Sequence, residues 1–322
     1  VAVTEQLKQG YQSVTHKLPR SVNATLRGLS VASLIGQSVL IVTGGAVRLT
    51  ASGLGCPTWP DCTPGSLVNT PEMGIHGIIE FGNRTLTFAL AVVAALMLVF
   101  LWNLRKERKD LFWLAFALLA SIPAQAVIGG ISVLTHLNPW VVALHFLVSA
   151  ALIVFSMLLV NRTYGRTGTA APSRPLQASK TVRQLSVLAA VCTGFAVVLG
   201  TMVTGSGPHA GDANAPRNEL NPALITRIHV LPVYILVITS FILLALLWRR
   251  ASGDVLRAGA ILLVASVLFQ GAIGYAQYFT GLPPLLVGLH MLGAAILLAT
   301  ATNLADLALA PRQPLRQRIQ SA

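Results

Sequence analysis

Eight apolar runs leave this chain few folds to choose from. They lie at about 29–48, 76–103, 111–131, 139–160, 184–205, 222–248, 256–278 and 284–307. Each is near the roughly 20 residues that a helix needs to cross a bilayer. A backbone inside lipid must satisfy its own hydrogen bonds, so the runs are expected to be helices. The chain is 54% hydrophobic and only 10% charged, which excludes an ordinary soluble domain. Val1–Arg27 is polar and holds no short apolar core, so no cleavable leader is expected in it.

A net charge of +13 invites a nucleic-acid partner, but its placement argues for none. Lys8, Lys17, Arg20 and Arg27 precede the first run, and Arg105, Lys106, Arg108 and Lys109 follow the second. Arg162, Arg166, Arg174, Lys180 and Arg183 surround the central linker. Arg249, Arg250 and Arg257 follow the sixth run, and Arg312, Arg316 and Arg318 the eighth. Nineteen of 23 basic residues thus fall on one side, which the positive-inside rule makes cytoplasmic, with both termini inside. Of the remaining four, Arg217 is expected in a solvated outer loop. Arg48, Arg84 and Arg227 flank membrane runs, where they either pair with carboxylates of a ligand or snorkel to the interface.

The runs repeat. Gln125-Ala-Val-Ile-Gly-Gly precedes Leu137-Asn-Pro-Trp-Val-Val-Ala-Leu-His145, and Gln270-Gly-Ala-Ile-Gly-Tyr precedes Leu282-Pro-Pro-Leu-Leu-Val-Gly-Leu-His290. In both, His lies 20 residues after Gln and six after a Pro. Thr43-Gly-Gly-Ala-Val-Arg-Leu-Thr-Ala-Ser-Gly and Gly200-Thr-Met-Val-Thr-Gly-Ser-Gly end the first and fifth runs in related fashion. Such matches mark an internal duplication. Four crossings return the chain to its starting side, so the repeats are expected to be parallel. The expected architecture is an all-α membrane protein with eight transmembrane helices in two parallel four-helix bundles. A tail (1–28) leads to a first half (29–162), a linker (163–183), a second half (184–308) and a second tail (309–322).

His145, His229 and His290 lie six or seven residues past a helix-opening Pro, about 9–10 Å inside the outer helix ends. Imidazole inside a membrane is costly without a partner. Histidines from two helices can clamp a haem iron, while a helix–helix hydrogen bond is the plainer use of each. Asn83 holds the corresponding place in the second run. His76, Glu80 and Asn83 are spaced i, i+4, i+7, hence on one helical face. Glu80 either pairs with Arg84 or serves as an acid/base or charge-stabilising group beside a substrate. Cys56 and Cys62 bracket Pro-Thr-Trp-Pro-Asp in the first outer loop, where a disulfide is expected in an oxidising compartment; two free thiols are the alternative. Cys192 is expected to be inert packing, His16 and His209 to be solvated, and His136 to be a lesser outer-surface candidate.

At these residues the chain resembles the haem A synthase family. The resemblance spans all eight runs. It is carried by Gly53-Leu-Gly-Cys-Pro-Thr-Trp-Pro-Asp-Cys62, Glu80-Phe-Gly-Asn-Arg84, Leu144-His145-Phe, Arg227-Ile-His229 and Leu289-His290-Met. It implies a multi-pass enzyme of the cell or inner membrane that oxidises a ring methyl of haem O to the formyl group of haem A by successive hydroxylations. It implies a haem b in the second half, bound by His229 and His290 with Arg227, and the substrate haem O in the first half near the outer face. There His145 would ligate iron, with Asn83, Arg84, Arg48 and His76 lining the site and Glu80 as the catalytic residue. The family pattern in the second run is Glu-x-x-His-Arg; here Asn83 stands in the histidine's place. The expected partners are haem O, an electron donor of unknown identity, the lipid bilayer, and a haem O synthase or oxidase assembly protein. A di-haem, quinol-linked electron-transfer cytochrome is the alternative reading, and a transporter a weaker one.

Overall fold

The computed structural model describes residues 16–168, 178–249 and 254–310, with Glu5, Gln6 and Ser13 besides. Lys8, Arg174, Arg250, Arg312, Arg316 and Arg318, and with them most of the two tails and the middle of the linker, lie outside the described residues.

Eight long helices follow one another: α1 (Ala24–Leu49), α2 (Gly74–Phe100), α3 (Lys109–Leu134), α4 (Pro139–Thr163), α5 (Lys180–Ser206), α6 (Pro222–Arg249), α7 (Asp254–Phe279) and α8 (Pro284–Leu309). All eight are long and apolar enough to cross a membrane. The shortest has 25 residues and the longest 28, or about 38–42 Å. That exceeds a hydrocarbon core of about 30 Å. The helices therefore run past the apolar stretches at most ends, into layers where water or headgroups solvate polar side chains.

Local chemistry fixes the ends. Asn23 caps α1 through Leu26 N–H, and Ser179 caps α5 through Val182 N–H. Asn138 accepts from Trp140 N–H as α4 begins. Pro139, Pro222 and Pro284 open their helices, where the missing N–H costs nothing. The second run is shorter as α-helix than expected: α2 stops at Phe100, and Trp102–Leu104 form a separate 3-10 turn.

The duplication is geometric as well as textual. The α3–α4 turn places His136 and Leu137 at φ 50° and 62°, and the α7–α8 turn places Gly281 and Leu282 at φ 78° and 62°. In both, the leucine N–H closes on a carbonyl five residues back, Ser132 or Gln277, at 2.7 Å. A leucine in the left-handed region is disfavoured by about 1–2 kcal/mol. Its recurrence at repeat-related positions means that the tight helical hairpin imposes it.

Within the chain's first part α1 packs on α2 and α4, and α3 on α2 and α4. In the second part α5 packs on α6 and α8, and α7 on α6 and α8. Helix α8 also lies against α1 and α4. Ile41, Ala150, Ile153, Ala295 and Leu298 form the apolar seam between the two parts. The large, fully buried side chains (among them Met97, Leu111, Leu159, Leu243, Leu256 and Leu304) all lie on one side of the histidine level, toward Leu104, Lys109 and Lys180. The leucine core thus fills one end of the helix array. The other end is built from histidines, glycines and half-buried residues.

Polar ties reinforce the seam at both ends. Asp306 on α8 accepts from Asn161 Nδ2 at 3.0 Å and Thr167 Oγ1 at 2.7 Å. At the opposite end Arg48 donates to the carbonyls of Thr204, at 2.8 Å, and His209. Gly53 N–H meets Gly211 O at 2.8 Å, and Leu137 packs with Ala210 and Ala215 beside them.

Candidate functional site

The same contact recurs in all four helical hairpins. A Cβ added at Gly129 (α3) would lie 3.4 Å from His145 Cε1, one at Gly200 (α5) 3.3 Å from His229 Cε1, and one at Gly274 (α7) 3.2 Å from His290 Cε1. The next nearest atom is each ring's Nδ1, at 3.7–3.8 Å. Each imidazole therefore lays its Nδ1–Cε1 edge on a glycine of the preceding helix, and Nε2 points away from that helix. In the fourth hairpin a Cβ at Gly44 (α1) would lie 4.0 Å from Asn83 Nδ2. Asn83 is thus the structural counterpart of the three histidines.

The three Nδ1 atoms are buried and have no hydrogen-bond partner. A buried polar atom left unpaired costs about 1–3 kcal/mol, and for His229 the Ala196 carbonyl of α5 stands within reach as an acceptor. Imidazole is a ligand that haem iron accepts. Among the described residues no three His, Cys, Asp or Glu side chains converge as an all-protein metal site.

Two glutamines hold the backbone under the histidines. Gln270 Nε2 donates to His290 O at 3.0 Å, and Gln125 Nε2 to His145 O at 3.3 Å. Gln125 also reaches Ser149 Oγ at 2.6 Å. The duplicated Gln and Gly positions carried this signal in the sequence, where the Gln-to-His spacing marks the repeat.

His76, Glu80 and Asn83 share a face, and each reaches α1 or the loop after it. Thr43 Oγ1 lies 2.7 Å from Asn83 Oδ1, and Ser52 Oγ lies 2.9 Å from His76 Nδ1. Glu80 is 7% exposed. Its Oε2 accepts from Cys56 N–H at 2.6 Å and its Oε1 from Arg84 at 2.7 Å. The ion pair weighed against a catalytic role is therefore present, and so is a second bond to the loop. Cys56 and Cys62 form a disulfide and have no exposed surface. Within that ring Trp59 lays its indole on Gly130, whose missing Cβ leaves the room. The loop is thus anchored on α2 through Glu80 and on α3 beside Gly129, the glycine under His145.

The other named residues are dispersed. His76 lines a cleft of about 490 Å³ with Leu54, Pro57, Met73 and Asp212. Arg48 is spent on carbonyls of α5 and the loop after it. Arg227 is exposed on α6. It precedes His229 by two residues, about 200° around the helix, so the two do not share a face. One expectation needs correction. His209 is not simply solvated: its Nε2 lies 2.8 Å from Leu282 O while its own carbonyl accepts from Arg48. Arg217 lies in a largely exposed loop, as expected, and braces it through Ala215 O and Pro208 O. Cys192 is buried and free, as expected of packing.

Residues 27–219 match the model of the family described as COX15-CtaA, cytochrome oxidase assembly protein. A heme A synthase of Lysinibacillus sphaericus is 33% identical over 145 residues, 42% of this chain and 46% of that protein. One from Alkalihalophilus pseudofirmus is 29% identical over 46% of this chain and 50% of its own length. These alignments span about half of the relatives they match. The heme A synthase of Rhizobium etli aligns more fully, 24% identical over 91% of this chain and 92% of its own. With a family match running from α1 into the loop before α6, and a hairpin geometry repeated beyond it, this chain belongs to the COX15-CtaA family of cytochrome oxidase assembly proteins.

Proposed function

We propose that this protein oxidises a ring methyl of haem O to the formyl group of haem A by successive hydroxylations. The observation that carries the reading is the fourfold glycine contact, with an imidazole in three hairpins and an amide in the fourth. That makes the two halves chemically unequal. Helices α5–α8 offer two imidazoles, His229 and His290; helices α1–α4 offer one, His145. Relatives called heme A synthase support the reaction class.

In this reading the halves are parallel four-helix bundles, at 29–162 and 184–308. Both termini are cytoplasmic, and the histidine level lies near the outer face of a cell or inner membrane. The basic residues at one end of the helices support that orientation. His229 and His290 would hold a haem b, which would supply electron transfer. His145 holds the haem O substrate. The disulfide loop covers this half and holds Glu80 buried and fixed. A carboxylate so placed can stabilise positive charge that develops at the reacting carbon. Arg84 keeps that carboxylate oriented. Arg227 is free of the inter-half seam and suited to a propionate, whereas Arg48 serves mainly to join the halves. His76 opens on the cleft with Met73 and Asp212. Haem O, an electron donor, and a haem O synthase or oxidase assembly protein are the proposed partners.

The test is pigment analysis of the purified protein from a host that makes haem O. Haem A or hydroxylated haem O in the extract is the expected result. Unmodified haem alone, on protein with intact optical bands, would instead mark an electron-transfer cytochrome.

A further inference from the structure

We infer that the α6–α7 hairpin, at its end farthest from the histidines, binds the headgroup of an anionic phospholipid. Arg249 and Arg257 supply the charge, with Trp248 and Val255 beside them. The inference goes beyond the haem reading and does not depend on it.

The two halves carry repeat-related residues at this end, and those residues differ. The offset that matches Asn83 to His229 matches Trp102 to Trp248. The offset that matches Gly129 to Gly274 matches Asp110 to Val255 and Phe112 to Arg257. In the first half protein groups hold the cations. Arg108 pairs with Asp110 at 3.1 Å and donates to Arg162 O at 3.1 Å, and Arg105 donates to Trp102 O at 2.6 Å. Phe112 packs edge-on against Trp102, with ring centroids 6.3 Å apart. In the second half a valine replaces the carboxylate and an arginine replaces the phenyl ring. Arg257 lays its guanidinium over Trp248 instead, 5.5 Å from the ring centroid.

The arginines of the second half lack such partners. Among the described residues neither Arg249 nor Arg257 takes part in a hydrogen bond or an ion pair. Asp254, three residues before Arg257, is exposed and pairs with neither. Arg257 Nε is buried and without a partner, whereas its terminal nitrogens are not buried. A guanidinium steadied by an indole, with its fork free, matches two oxygens of a phosphate.

Depth selects the kind of phosphate. Trp248 follows Pro222, the first residue of α6, by 26 residues, about 39 Å along the axis. That lies past a hydrocarbon core of about 30 Å, in the headgroup layer, where indoles are favoured. Trp248 is 63% exposed and Val255 46%, so apolar surface for acyl chains adjoins the cations. A phospholipid offers phosphate and chains together; dissolved phosphate offers only the first.

Native mass spectrometry of the full chain tests this, with dioleoylphosphatidylglycerol or dioleoylphosphatidylcholine added to the detergent. The wild type should retain one phosphatidylglycerol in preference to phosphatidylcholine. Arg249→Gln with Arg257→Gln should weaken that binding about 25-fold, at about fivefold for each cation beside an anionic lipid. Val255→Asp removes no cation but sets a carboxylate beside Arg257; it should weaken binding too, and it decides the matter if the double variant does not fold. Lys106→Gln with Lys109→Gln removes the same charge from the first half and should leave the lipid bound. No preference for phosphatidylglycerol in the wild type overturns the inference. So does unchanged binding in the arginine and Val255→Asp variants, or an equal loss in the lysine variant, which marks net charge alone. Displacement of the lipid by inorganic phosphate at equal concentration marks a site for a free anion and overturns the lipid assignment.

Discussion

Cys56 N–H donates to Glu80 Oε2 at 2.6 Å, so the disulfide loop and the buried carboxylate of α2 are one structural unit. Arg84 occupies the other oxygen at 2.7 Å. Glu80→Gln keeps an acceptor for Cys56 but replaces the anion facing Arg84. It should fold, retain the second-half haem and accumulate haem O or a partly oxidised product. Glu80→Ala should in addition lower stability by about 1–3 kcal/mol, because Cys56 N–H and Arg84 lose their acceptor. Pigment extraction together with thermal melting in detergent separates the two effects. Normal haem A yield from Glu80→Gln would leave Glu80 a purely structural residue.

Gly274→Ala and Gly200→Ala test the hairpin contact. A Cβ would press on His290 at 3.2 Å or His229 at 3.3 Å, and each ring would have to shift by a few tenths of an ångström. The low-spin optical and electron-paramagnetic signals of the second half should shift or weaken in both variants. Gly194→Ala, on the same α5 helix, meets nothing within 4 Å. It should leave those signals unchanged and gain up to about 1 kcal/mol from helix propensity. Equal spectra in all three variants would show that the glycines do not position the rings.

Arg48 is expected to act on stability before it acts on substrate. Arg48→Met keeps the stem but removes the donors to Thr204 O and His209 O. The loss should be about 1.5–3 kcal/mol, the range for hydrogen bonds to a charged group, read as a lower melting temperature. A variant that melts normally but needs more haem O for half-maximal rate would return Arg48 to the substrate site.

Asp306 ties the opposite end of the seam. Asp306→Ala strands Asn161 and Thr167, which are 0% and 2% exposed. Each unsatisfied group costs about 1–3 kcal/mol, so the melting temperature should fall clearly. Asp306→Asn keeps an acceptor oxygen and should lose less. Comparable melting of both variants with the wild type would show that Asp306 adds nothing to the joining of the halves.

What was legible in the sequence is what depends on local order. Apolar run length gave eight helices, because a lipid-exposed backbone has no other partner than itself. Pro139, Pro222 and Pro284 marked helix starts, since the first turn of a helix leaves its N–H groups unpaired in any case. The Gln125/Gln270 and His145/His290 spacing announced a duplication, and short separation with an outer-loop setting announced the Cys56–Cys62 pair. Tertiary structure decided what each side chain touches across helices, which no spacing along one helix encodes. Arg48 and Arg84 looked alike as outer-end cations; one closed the seam between the halves and the other locked Glu80. Gly129, Gly200 and Gly274 carried no chemistry to notice, yet their missing Cβ atoms let the imidazoles lie where they do. Asn83 stood out in sequence only as a departure from a pattern. Its equivalence to the three histidines, and its bond to Thr43, arise because packing brings residues 40 positions apart within one hydrogen bond.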